Sequence, residues 1–103
     1  MDITDYEHTC SLTKYLDGLE PGDAKAYLAI GLAGEVGEVL NLVKKKQYYT
    51  DYRLDYGLLK EELGDVLYYL TNLITDCGWS LEEIMEINSK KVHQVLARKA
   101  VAE

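Results

Sequence analysis

At 103 residues the chain is sized for one small domain, 1–103, and a compact chain of that length leaves much of its surface exposed even with 48% hydrophobic residues. A net charge of −7, from 18 acids against 11 lysines and arginines, speaks against nucleic-acid binding, because no basic stripe is available to face a phosphate backbone. The reading finds no apolar run of about 18 residues and no charged-then-apolar leader, so neither a membrane partner nor a signal peptide is expected. Cys10 and Cys77 have no metal or redox spacing and fit a reducing cytosol as small apolar fillers, with a cytoplasmic location expected.

The expected fold class is all-α, with four helices and no strand. Thr4-Asp5-Tyr6-Glu7 has the form of a capping box, which predicts a first helix over about 5–16, stopped at Asp17-Gly18. It carries His8, Cys10 and Lys14, and packing is its expected role. After the Pro21-Gly22 turn, Asp23 is a good N-cap for a second helix over about 24–48. That helix contains Gly31, Gly34 and Gly37, each costing about 1 kcal/mol against alanine in a helix interior. Gly31, one turn before a pair of acids, reads either as space for a ligand or as close helix packing; Gly37 reads as the approach of a neighbouring helix. Lys44-Lys45-Lys46 closes the helix. Cations suit a helix C-terminus, and Lys45, seven residues after Glu38, is also a candidate polyphosphate contact.

A tyrosine-rich connection, Tyr48 to Tyr56, leads to a third helix over about 54–77 that ends at Gly78. Ser80-Leu81-Glu82-Glu83 is a second capping box, with Trp79 and Ile84 as a hydrophobic staple, opening a fourth helix over about 81–98. The tail from Arg98 is expected to fray. Leu81, Ile84, Val92 and Val95 form the apolar face of the fourth helix, with Asn88 at its centre and Lys91 beside it. A lysine on a buried face needs a partner. Asn88 and Lys91 are therefore candidates for an internal polar site, the alternative being that Lys91 reaches outward along its stem.

One hexamer occurs twice: Glu-Val-Gly-Glu-Val-Leu at 35–40 and Glu-Leu-Gly-Asp-Val-Leu at 62–67. With Glu35 at about 0° on a helical wheel, Leu28, Leu32, Val36, Val39, Leu40 and Val43 fall on an arc centred near 80°, and Glu38 lies near −60°. With Glu62 at about 0°, Leu59, Leu63, Val66, Leu67, Leu70 and Ile74 fill the same arc, Asp65 lies near −60°, Tyr69 near −20° and Asn72 near −80°. Each helix thus carries two carboxylates along one edge of its apolar stripe. Side by side, the pair would bring Glu35, Glu38, Glu62 and Asp65 together, where they would repel unless a cation joined them. An all-oxygen donor set suits Mg²⁺ or Mn²⁺; no histidine or cysteine accompanies it for zinc, and neither hexamer has the Glu-x-x-His of di-iron bundles.

The stretch GLAGEVGEVLNLVKK followed by EELGDVLYYL resembles the MazG-type nucleotide pyrophosphohydrolases of the all-α NTP pyrophosphatase superfamily, over about residues 25–95. Their Glu-x-x-Glu, gap, Glu-x-x-Asp signature falls on Glu35/Glu38 and Glu62/Asp65. Tyr69, four residues after the aspartate, and Asn88-x-x-Lys91 match as well. The resemblance implies hydrolysis of a nucleoside triphosphate, often a deoxynucleotide, to monophosphate and pyrophosphate. The four acids would hold Mg²⁺, and one of them would orient or deprotonate the attacking water. Lys45 and Lys91 would contact phosphates, and Tyr69 and Asn88 would line the nucleotide site. It also implies a four-helix bundle completed by oligomerisation, as a homodimer or homotetramer with a base pocket partly between subunits. Exposed aromatics, Tyr48, Tyr49, Tyr52 and Trp79, agree with an oligomer. The competing class is an acidic helical bundle that binds a metal or a partner without catalysis.

Overall fold

The computed structural model describes residues 1–14, 20, 23–48 and 53–102, the side chain of Ala102 excepted. The chain folds as four helices, α1 (Ile3–Ser11), α2 (Ala24–Tyr48), α3 (Tyr56–Asp76) and α4 (Leu81–Ala102), with no strand among the described residues. The first helix starts earlier than its sequence suggests. Asp2, not Thr4, is the N-cap: its carboxylate accepts from the Asp5 amide at 2.8 Å, and the Asp5 carboxylate faces back to the Asp2 amide. Aspartate is at least as strong a cap as threonine, and the shift frees Glu7 for another use. The Glu7 carboxylate accepts from the Leu81 amide at 3.1 Å, satisfying a donor of the first turn of α4. The expected stop at Asp17-Gly18, the Pro21-Gly22 turn, and Tyr49 and Tyr52 lie outside the described residues.

The second helix has the expected bounds. Asp55 caps α3 through the Leu58 amide. At its other end the Gly78 amide reaches Thr75 O at 3.0 Å and the Trp79 amide reaches Ile74 O at 3.2 Å, the paired bonds of a Schellman motif. The motif needs a left-handed residue, and Gly78 supplies it with φ +84°. Ser80 then caps α4 by accepting from the Glu83 amide at 3.1 Å. The fraying expected from Arg98 is not seen, and α4 continues to Ala102.

Lys25 meets Asp76, Tyr27 and Gly31 meet Tyr69, and Glu35 meets Glu62 and Asp65, so α2 and α3 form an antiparallel hairpin. Which faces meet differs from the wheel reading. Ala24, Leu28, Gly31, Leu32, Glu35, Val39, Leu42 and Lys45 are the buried or half-buried positions of α2, a stripe centred near Glu35 rather than near 80°. The corresponding stripe of α3 runs through Leu59, Glu62, Val66, Tyr69 and Leu73. One neighbour covers only a narrow arc of a helix, and here that arc takes in the acidic edge. The rest of each apolar arc is left bare: Val36, Leu40 and Val43 are 39, 63 and 48% exposed, and Leu63, Leu67 and Leu70 are 49, 41 and 36% exposed. In an antiparallel pair, positions rotated the same way from the contact line fall on the same side. The six aliphatics therefore share one side of the hairpin, and Glu38 and Asp65 share the other.

Polar contacts attach α1 to the far end of α3. Asn72 donates to the Cys10 carbonyl at 3.1 Å, in full burial. Lys14 donates to Thr75 Oγ1 at 3.0 Å and lies 3.8 Å from Asp76, whose carboxylate also pairs with Lys25 at 3.0 Å. Burial pushes the Lys14 ammonium below its ordinary range, partly opposed by Asp76. Cys10 is a buried free thiol, as expected of an apolar filler, and Cys77 is half-buried.

Beyond Ile84, the described side chains of α4 are all exposed. The radius of gyration is 17.2 Å, against about 13 Å for a compact domain of this length. One expectation about membranes also needs correcting: α2 is long and apolar enough to cross a bilayer by length and composition, with mean hydropathy 1.4 over 18 residues. Glu35 and Glu38 interrupt the apolar run in the middle of the helix.

Candidate metal centre

Two helix faces build the site. Residues three apart on a helix are neighbours, so Glu62 and Asp65 present their carboxylates together, and α2 sets Glu35 against them. One oxygen from each of Glu35, Glu62 and Asp65 lies within 4.8 Å of the others. Glu35 and Glu62 are half-buried and Asp65 is exposed. The fourth expected acid, Glu38, is exposed and stands outside this three-oxygen group, yet its charge acts on both glutamates.

The electrostatics are those of an uncompensated anionic cluster. Partial burial raises the Glu35 carboxyl above its ordinary range, and the charges of Asp65 and Glu38 raise it further. Burial likewise raises Glu62, with Asp65, Glu38, Glu35 and Glu61 adding to the effect. Among the described residues no lysine or arginine forms an ion pair with these acids; the cations that do pair, Lys14 and Lys25, are both on Asp76. Hard carboxylate oxygens, no nitrogen or sulfur donor in the group and an open side at Asp65 fit an octahedral divalent cation that keeps positions for water and phosphate oxygen.

The remaining candidates are dispersed. Tyr69 is half-buried in a cluster of aromatic rings, 5.3 Å from Tyr68 edge-on and 6.4 Å from Tyr27. Its ring also fills the space over Gly31, which decides between the two readings of that glycine in favour of packing. Gly37 has nothing within 4 Å of its Cβ position among the described residues, so the helix expected to approach it is not found there. Asn72, placed near the acids on the wheel, is committed to α1. Lys45 is half-buried on α2. Asn88 and Lys91, expected to face inward, are exposed on α4, because the face that carries them has no neighbour among the described residues.

One neighbour of the site was not legible in the sequence. Tyr6 of α1 lies close enough to Asp65 to sense its charge, and its phenol is pushed up to about 12, first by burial, then by a hydrogen bond with Cys10, then by Asp65 and Tyr68. Only the packing of α1 on α3 brings it there, and no local pattern reports such a contact.

The family model of the MazG nucleotide pyrophosphohydrolase domain matches residues 24–98 of the chain. Comparisons with curated proteins and with solved structures give no match.

Proposed function

Because the chain belongs to the MazG nucleotide pyrophosphohydrolase family, we propose that it cleaves (deoxy)nucleoside triphosphates between the α- and β-phosphorus, releasing nucleoside monophosphate and pyrophosphate, in clearance of unwanted nucleotides from the pool. The observation that carries this reading is the convergence of Glu35, Glu62 and Asp65 from two helices.

Glu35, Glu38, Glu62 and Asp65 would hold Mg²⁺, or Mn²⁺ in its place. Such an ion neutralises charge gathering on the phosphate oxygens and eases deprotonation of the attacking water. One of these acids would also orient or take up a proton of that water. Lys45 and Lys91 contact the phosphates, and Tyr69 and Asn88 line the nucleotide site. Asn88 and Lys91 are free to do so in an assembly, which agrees with a homodimer or homotetramer closed over the bare side formed by Val36, Leu40, Val43, Leu63, Leu67 and Leu70. Lipid is the poorer cover for that side. A membrane would have to take in Glu35 and Glu38 near the middle of α2, at a cost of several kcal/mol.

A panel of canonical and modified triphosphates with Mg²⁺ tests the reading. Pyrophosphate and monophosphate should appear in equal amounts for at least one substrate. Release of orthophosphate would reassign the reaction. Stabilisation by Mg²⁺ without any turnover would favour the metal-binding bundle that lacks catalysis, a reading the exposed positions of Asn88 and Lys91 would then explain.

A further inference from the structure

Two neighbouring faces of α3 carry two neighbouring rings. Tyr69 belongs to the stripe that meets α2, while Tyr68, Asn72 and Thr75, at steps of four and three residues, form the stripe that meets α1 and the turn after it. Residues one apart on a helix point about 100° away from each other and do not ordinarily touch. Yet the rings of Tyr68 and Tyr69 stand 5.3 Å apart with their planes at 89°. Each is held there by a different neighbour. Tyr69 lies against Gly31 and 6.4 Å from the ring of Tyr27, both on α2. The hydroxyl of Tyr68 shares a hydrogen bond with that of Thr13, two residues past the end of α1. Thr13 is itself a fixed point. Three residues before it, the Cys10 carbonyl accepts from the buried Asn72 amide at 3.1 Å; one residue after it, Lys14 donates to Thr75 at 3.0 Å. The ring of Tyr69 thus has two stops on α2 and a third in Tyr68, and only the third is set from outside the hairpin.

We propose that Tyr68 is a positioning residue for the nucleotide site: anchored to Thr13, it holds the ring of Tyr69 in the place from which that ring meets the nucleotide. This rests on the reading of Tyr69 as a nucleotide contact. It gives Thr13, which lies outside the family match, a part in substrate affinity without touching substrate. Released from Thr13, Tyr68 turns away for part of the time, and Tyr69 loses its third stop. Apparent affinity then falls in proportion to the fraction of rings in place. One hydrogen bond between uncharged groups limits that effect to about tenfold. Bound substrate selects the ring in place, so the loss falls on KM while kcat holds.

Thr13→Val and Tyr68→Phe each remove one hydroxyl and keep the side chain's shape. Thr13 is exposed and Tyr68 half-buried, and circular dichroism confirms that both variants keep their helices. Steady-state kinetics with Mg²⁺ and a triphosphate that the wild type hydrolyses should show KM raised by about three- to tenfold in each variant, with kcat little changed. The double variant should be no worse than either single one, and in a Tyr69→Ala background Tyr68→Phe should leave KM where Tyr69→Ala puts it. In the ligand-free protein, the NMR signals of the Gly31 α-protons, displaced by the Tyr69 ring, should move by similar amounts in the two single variants. Unmoved Gly31 signals, a wild-type KM in either variant, a loss confined to kcat, or additive losses in the double variant would each overturn the proposal. A wild type that turns over no triphosphate is the separate failure of the enzymatic reading, and it takes this proposal with it.

Discussion

The ring of Tyr69 occupies the space where any residue other than glycine at position 31 would carry its Cβ, which would sit 2.6 Å from Cδ1 and 2.9 Å from Cζ. Gly31→Ala should therefore destabilise the fold by about 1–3 kcal/mol through overpacking, although alanine gains about 1 kcal/mol in helix propensity. In a Tyr69→Ala background the same change should become stabilising by about 1 kcal/mol, because only the propensity gain remains. Denaturant unfolding of the four proteins reads the cycle. Equal destabilisation in both backgrounds would mean that backbone, not the ring, is the obstacle.

Asp65→Asn keeps the size of the side chain and removes one charge from the cluster. Hydrolysis should fall by orders of magnitude, while metal-free thermal stability should hold or rise as repulsion among the acids is relieved. Millimolar Mg²⁺ with nucleotide should raise the melting temperature of the wild type by mass action and that of the variant less. A fully active Asp65→Asn protein would leave the four acids as surface charge.

Acidification should stabilise the metal-free site. A glutamate raised above its usual value of 4.5 in the folded chain keeps a proton that the unfolded chain has already released. Its contribution is present in full below 4.5 and is lost as pH rises through the raised folded value. The stability gap between wild type and Glu62→Gln should accordingly narrow as pH drops from 7 toward 4.5 in EDTA, and Mg²⁺ should flatten the trend. Parallel stability curves for the two proteins in EDTA would contradict this.

At the other end of the hairpin, Asp76→Asn should cost about 3–5 kcal/mol, since it removes the carboxylate facing a buried Lys14. Lys25→Ala should cost far less, because its ammonium is exposed. Chemical denaturation of the two variants makes the comparison, and similar losses would mean that Lys14 finds another counter-charge.

Helix positions and the acid pair on each helix were readable from periodicity and capping residues, because both are local. The Ser80 cap, Gly78 and the bounds of α2 follow from side chains a few positions apart. The Asp2 cap could have been found, but Thr4-x-x-Glu7 fits the same template, and only the contact between Glu7 and Leu81 separates them. The direction in which α2 faces α3 was not readable: a wheel ranks faces by apolar content, and both helices have more apolar arc than one neighbour covers. Asn88 and Lys91 are exposed in the single chain for a related reason. An amphipathic pattern reports that a face needs cover without saying which chain provides it.

The hydrogen bond from the Leu81 amide to the Glu7 carboxylate joins residues 74 positions apart. Nothing local can close it. The α2–α3 hairpin joins residues separated by far less chain, so loop-closure entropy weighs more on the Glu7–Leu81 junction than on the hairpin. Helix α1, outside the family match, thus holds the start of α4 through that one bond.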